Sequence, residues 1–208
     1  MRLAELDAVT VDAYGTLVGL VDPVPALRAG LVALGVEREP GTVAAAFAKE
    51  AVYYRERSFE GRDDESLRDL RRRCVAIILA ELEADLPPEA FVDGFVAAMR
   101  FELLPGAGRA VEALRRRGLA VAVVSNWDFG LPRQLQGLGL GEVAVVTSAE
   151  AGAPKPDPAP FRRALELLGV RAERALHVGD SDSDERGARA AGMHFAHAPL
   201  EAAVETLA

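Results

Sequence analysis

Five short aliphatic and β-branched runs constrain this chain more than any other feature: Leu6–Asp12, Leu119–Ser125, Val143–Thr147, Ala175–Gly179 and Met193–His197. Their apolar residues are continuous rather than alternating. Strands of that kind are buried on both faces, which predicts a parallel sheet between layers of helix. After the first run, segments with helical periodicity separate each from the next. Gly106–Arg117 is one, closed by Gly118, and Pro158–Leu168 is another, closed by Gly169. Residues from about 20 to about 100 break this alternation and carry no strand pattern. They predict helices over Pro23–Leu34, Gly41–Ser58, Asp63–Glu83 and Pro88–Phe101, with breaks at Gly35, at Gly61-Arg62-Asp63 and at Pro87-Pro88. The fold class is therefore α/β: a parallel-sheet core of residues 1–18 and 102–208, interrupted by a helical insert of residues 19–101.

Composition removes several classes of function. With 208 residues, half of them hydrophobic, the chain has too much apolar content to be disordered. A net charge of −8 offers no basic surplus to displace counterions from nucleic acid. The lone Cys74 makes no internal disulfide, so nothing suggests an oxidising compartment. No apolar run approaches the roughly 20 residues that span a bilayer. The opening MRLAELDAVTVD lacks the apolar stretch of a signal peptide. A cytoplasmic protein acting on a small molecule is the expectation, with no nucleic acid or membrane partner; oligomeric state is not legible.

Open parallel sheets bind ligands beyond the carboxyl ends of their strands. There the sequence places Asp12 (in Val-Thr-Val-Asp12-Ala-Tyr14-Gly15-Thr16), Ser125-Asn126, Lys155 (in Ala-Pro-Lys155-Pro), and Asp180, Asp182 and Asp184. Singly, each has a plain structural reading: Asp12 as a helix N-cap, Ser125-Asn126 as turn residues, Lys155 as part of a rigid proline loop. Only Lys49 and Lys155 are lysine among 24 basic residues, which favours a need for a compact ammonium at 155. Counted from Asp180, Glu185 and Ala191 occupy the sixth and twelfth positions, where a calcium loop needs glycine and glutamate. A magnesium-type site built from Asp180, Asp184 and Asp12 remains, or a solvated helix start; Asp182 is expected to face solvent. Phosphate-loop and serine-elbow motifs are absent. His177 is read as a core residue of its strand, and Cys74 as the core of a helix.

In this order and at these strand ends, the residues resemble the haloacid dehalogenase superfamily across nearly the whole chain. Asp12-Ala-Tyr14-Gly15-Thr16-Leu is similar to its first motif, Ser125 to the second, Lys155 to the third, and Gly179-Asp180 with Asp184 to the fourth. The resemblance implies a Rossmann-like core with an inserted helical cap. It implies that Asp12 is a nucleophile forming a covalent ester, with Thr16 orienting it and Ser125 and Lys155 offsetting charge. In the phosphatases of the family, Mg²⁺ is held by the counterparts of Asp12, Asp180 and Asp184 and by the main-chain carbonyl at Tyr14.

Position 14 departs from the phosphatase pattern, which has a second aspartate there to protonate the leaving alcohol. A phenol is a far weaker acid, and general acid catalysis is worth about 10²–10⁴-fold. Tyr14 and Asn126 resemble instead the metal-independent 2-haloacid dehalogenases, whose halide departs without a proton. Asp180 and Asp184 oppose that, because without a cation three carboxylates would crowd one site. The reading is a Mg²⁺-dependent phosphatase of small phosphate esters. The alternatives are a 2-haloacid dehalogenase, or a catalytically weakened binding protein. Substrate choice is expected from Tyr14, Asn126, Arg55 with its neighbours Tyr53, Tyr54 and Phe59, and Trp127 and Phe129 at the cleft rim.

Overall fold

In the computed structural model, which describes residues 5–206, the chain begins with β1 (Ala8–Val11) and β2 (Val18–Leu20). Helices α1 (Val24–Ala33), α2 (Pro40–Arg57), α3 (Asp64–Glu81) and α4 (Val92–Ala98) follow. Then come β3 (Phe101–Leu103), α5 (Ala107–Arg116), β4 (Ala120–Ser125), α6 (Leu131–Gly137), β5 (Ala144–Thr147) and α7 (Ser148–Ala151). The chain ends with α8 (Ala159–Leu168), β6 (Ala175–Gly179), α9 (Asp182–Ala190), β7 (His194–His197) and α10 (Leu200–Thr206). Two compact units result: Met1–Gly19 with Glu102–Ala208, and Leu20–Phe101. Residues 1–4 and 207–208, included in the expected core, lie outside the described residues. No helix among the described residues is long and apolar enough to cross a membrane.

The five apolar runs form one sheet in the order β5-β4-β1-β6-β7, every neighbouring pair parallel. Alternation along the strands sorts them between two faces. Ala8, Ala122, Val124, Val146 and Ala175 pack with Phe161, Ala164 and Leu165 of α8 and Ala188 of α9. Val9, Val11, Val121, Val123, Leu176 and Val178 are left for the opposite face, and α5 and α10 also contact the sheet. Spacing explains α8: its buried residues Pro160, Phe161, Ala164 and Leu165 share one helical stripe, proline sits in its first turn, and Gly169 ends it in a left-handed turn.

The expected helix over Pro88–Phe101 is not continuous. Pro88–Ala90 forms a single 3₁₀ turn, α4 ends at Ala98, and Phe101 opens β3. A tertiary contact overrides the local periodicity: the Arg100 carbonyl accepts from the Val21 amide at 2.9 Å, holding this backbone extended. β2 and β3 pair as a small second sheet, too short at three residues each to carry a strand pattern.

In the helical unit, Asp63 caps α3 by accepting from the Ser66 amide at 2.8 Å, while the Asp63 amide donates back to Ser66 Oγ at 3.0 Å. Leu67, Leu70, Cys74, Val75 and Ile78 of α3 are buried, and α2 packs along it. Cys74 is core, as expected, but it faces an acid. Glu50 of α2 is 3% exposed; burial pushes its carboxyl up to about 7, only partly countered by a hydrogen bond from the Cys74 thiol. The folded state therefore holds this proton more tightly than the unfolded chain. The stability associated with it is fully present below the unfolded pKa of 4.5 and is lost as pH rises through about 7. Glu50→Gln should therefore stabilise the protein at pH 8 by roughly 2–3 kcal/mol more than at pH 5. Urea denaturation at the two pH values checks this; an equal effect at both would contradict it.

Candidate active site

From β1 the chain moves to β4 and β5 on one side, then returns to β6 and β7 on the other. The order reverses between β1 and β6, the kind of crevice where open α/β sheets hold ligands. Asp12 follows β1, Ser125 ends β4, and Asp180 follows β6.

Asp12 is buried, and its amide extends the ladder by donating to the Val178 carbonyl at 2.9 Å. Its Oδ1 accepts from Ser125 Oγ at 2.9 Å and from Lys155 Nζ at 2.5 Å. Oδ2 accepts no hydrogen bond among the described residues. One oxygen is tied and the other is available. Burial pushes the Asp12 carboxyl up, against the pull of the Lys155 ammonium.

Lys155 is equally buried. Its ammonium donates to Asp12 Oδ1, to Asp184 Oδ1 at 2.5 Å and to the Val124 carbonyl at 3.1 Å, using all three of its hydrogens. Burial works against this charge, but the two carboxylates outweigh it and hold Lys155 above the ordinary lysine range. Asn126 sets the lysine's backbone: its Nδ2 donates to the Lys155 carbonyl at 3.1 Å and its Oδ1 accepts from the Lys155 amide at 2.7 Å. Asn126, expected to face substrate, has one bond from each end of its amide to the Lys155 backbone.

Asp184 belongs to the first turn of α9, in a reciprocal cap with Ser181. Its Oδ2 accepts from Ser181 Oγ at 2.5 Å and from the Ser181 amide at 3.2 Å. Its Oδ1 takes Lys155 Nζ and His177 Nε2, the latter at 3.0 Å. Four donors fill the acceptor positions of a carboxylate. Burial opposes ionisation, but His177 and Lys155 hold Asp184 well below the usual carboxylate range. His177 is fully buried in β6, its Nδ1 lying 2.8 Å from Thr10 Oγ1. An ionised carboxylate only accepts, so Nε2 carries the hydrogen and Nδ1 accepts from the Thr10 hydroxyl.

Asp180 is exposed, and burial of its inner side together with the Asp184 carboxylate pushes its pKa up. The turn after β1 makes room for it. Gly15 has φ +83°, and a Cβ there would lie 2.0 Å from Asp180 Oδ2. Oxygens of Asp12, Asp180 and Asp184 lie within 4.8 Å of one another. Three carboxylates against the single ammonium of Lys155 leave two negative charges unbalanced, and with Asp184 filled by protein donors the hard oxygens left for a divalent cation are those of Asp12 and Asp180.

The other expected residues differ in placement. Thr16, expected to orient Asp12, has a buried hydroxyl without a hydrogen-bond partner among the described residues; Ser125 and Lys155 hold Asp12 instead. Trp127, expected at the rim, is 7% exposed, and its amide and carbonyl both bond to Ser148 Oγ. The loop after β4 is thereby fastened to α7. Tyr14 is 52% exposed, and Asp182 faces solvent as expected. In the helical unit Arg57 and Arg73 are paired with Glu60, whereas the exposed Arg55 donates from Nε to the Ala51 carbonyl of its own helix. Sequence reasoning missed the polar contacts of Thr10, His177 and Ser181. The available signal was two polar residues inside otherwise apolar strands, Ala-Val-Thr-Val and Ala-Leu-His-Val-Gly.

Residues 6–192 match the family described as haloacid dehalogenase-like hydrolase. The chain belongs to that family. Among curated relatives it is similar to haloacid dehalogenase-like hydrolase domain-containing protein 3 of Bos taurus, with 42% identity over 118 residues, 55% of this chain and 47% of that protein. It is similar as well to a phosphoserine phosphatase of Thermus thermophilus, with 44% identity over 109 residues, 50% of this chain and 43% of the relative. The chain spans about half the length of these relatives, or less. Among solved structures, a 2-haloacid dehalogenase from Pseudomonas syringae pv. Tomato superposes with a TM-score of 0.66 at 25% identity, covering 97% of this chain and 98% of that one.

Proposed function

We propose that the chain is a Mg²⁺-dependent phosphatase of small phosphate esters that works through an aspartyl-phosphate on Asp12. The observation that carries the reading is the state of the Asp12 carboxylate: Oδ1 is held by Ser125 and Lys155 while Oδ2 has no donor among the described residues. In the first step Oδ2 attacks phosphorus, an O–P bond forms to Asp12, and the bond to the leaving oxygen breaks. Water then attacks the acyl phosphate, releases inorganic phosphate and restores the carboxylate. Lys155 holds Oδ1 throughout, so the carboxylate does not rotate away from attack, while the Ser125 hydroxyl is free to turn from Oδ1 and leave that acceptor position to a cation.

Asp12, Asp180 and the main-chain carbonyl of Tyr14 would hold the cation. Asp184, with its acceptor positions filled by protein donors, contributes charge. Bound there, Mg²⁺ would supply positive charge to the oxygens of the transferring phosphoryl group. Tyr14 stands where a carboxylic acid would protonate a departing alcohol, so the reading favours esters whose leaving group departs unprotonated, aryl phosphates above all. Phosphatases among the relatives support this reaction. Tyr14, together with the likeness to a 2-haloacid dehalogenase, favours a second reading in which Oδ2 displaces halide from carbon.

An assay of aryl phosphates and 2-haloacids, each with Mg²⁺ and with EDTA, separates the two. Phosphate release that stops with EDTA is expected. Halide release that resists EDTA, without phosphate release, would overturn the phosphatase.

A further inference from the structure

His177 has no role in the chemistry above, yet it and its partner Thr10 are polar side chains completely buried beside it. Thr10 and His177 are direct partners in the β1–β6 register. Both sit in a layer otherwise built from Ala8, Ala175, Phe161 and Ala188. An aliphatic side chain would fill that space without the cost of burying polar atoms. The imidazole uses both nitrogens, Nδ1 on Thr10 and Nε2 on Asp184 Oδ1. Its plane is confined by Phe161, edge-on with ring centroids 4.9 Å apart, and by Phe195 at 6.3 Å. Asp184 Oδ1 is the same atom that receives the Lys155 ammonium, whose next hydrogen goes to Asp12 Oδ1.

We propose that His177 is a positioning residue: oriented by Thr10, its Nε2–H fixes Asp184 Oδ1 so that Asp184 and Asp12 together clamp Lys155 in the attacking geometry. The connected path runs Thr10, His177, Asp184, Lys155, Asp12, Ser125. It would explain why two polar side chains are retained inside the sheet. The effect on turnover rests on the reading of Asp12 as nucleophile, but the clamp itself does not.

The test exploits the fact that the chain has only two lysines, Lys49 and Lys155. With side-chain ¹³C,¹⁵N-labelled lysine, the metal-free and substrate-free protein gives one ammonium signal from the buried Lys155 and one from the surface Lys49. Wild-type protein should show slowly exchanging Lys155 ammonium protons. His177→Leu should lose them and lower kcat about 10–100-fold, with KM little changed. His177→Gln, whose side-chain amide can still donate to Asp184, should recover most of both. If His177→Leu does not fold by circular dichroism, Thr10→Val replaces it, with the same direction and a smaller size expected. A folded His177→Leu or Thr10→Val variant with the wild-type Lys155 signal overturns the proposal, whatever its activity. So does a His177→Gln variant no better than His177→Leu. Because the lysine signal needs neither metal nor substrate, absence of phosphatase activity in the wild type would defeat the functional reading while leaving the clamp to be judged by the spectrum.

Discussion

Asp12→Asn is expected to lower turnover of every substrate the protein hydrolyses by on the order of 10⁴-fold or more, the scale on which loss of a covalent nucleophile is felt. The amide is nearly the same size, and its oxygen can still accept from Ser125 and Lys155, so the pocket keeps its shape. What disappears is the unpaired anionic oxygen that attacks. Removing one of two unbalanced charges also weakens cation binding, so the variant should be assayed at saturating Mg²⁺. The substitution separates enzyme from binding protein as well: a catalytically weakened binding module would show the same slow background with either residue. Steady-state kinetics with an aryl phosphate checks this. Activity within tenfold of wild type would remove Asp12 from the chemistry.

The second large effect is on Lys155→Met. Methionine occupies much of the space of the lysine stem but carries no ammonium. Asp12 and Asp184 would then face one another, buried, with no positive charge between them. Breaking a buried ion pair by removing one partner costs about 3–5 kcal/mol of stability, because the remaining charge stays desolvated. Here two carboxylates are stranded, so the loss should be at the upper end, and kcat should fall roughly 10²–10³-fold with the positive charge gone. Thermal denaturation and kinetics test both parts. Lys155→Arg should not rescue, since a planar fork cannot reproduce the three-way donation to Asp12, Asp184 and the Val124 carbonyl. A Lys155→Met variant as stable and active as wild type would contradict the ion-pair account.

How much of this was legible in the sequence depends on the kind of information each feature uses. The run Ala175–Gly179 coincides with β6, and the other four runs differ from their strands by one or two residues at their starts and, for the first, one at its end. Continuous apolarity is a property of the residues themselves, so it survives without coordinates. The short strands β2 and β3 were invisible because three residues cannot show a period, and the helix over Pro88–Phe101 was overextended because a distant backbone contact ends it. At the site, residue types at strand ends identified Asp12, Ser125, Lys155, Asp180 and Asp184. The division of labour among them was not legible. Whether Asn126 faces a ligand or the Lys155 backbone depends on which side of a loop it lies, and spacing does not encode that. Trp127 follows the same rule: neither its burial nor the hold of Ser148 on its backbone is encoded in spacing. Thr10 and His177 pair across 167 residues of chain, a register known only once β1 and β6 lie side by side.

The central claim is that the free oxygen of Asp12 forms a covalent bond with the substrate. Acid quenching during turnover of an aryl phosphate with Mg²⁺, followed by proteolysis and mass mapping, tests it directly, because acyl phosphates survive brief exposure to acid. The account predicts a phosphoryl group on the peptide containing Asp12, present during turnover and gone once substrate is consumed. Steady turnover with that peptide unmodified, or with the group on another residue, would contradict it.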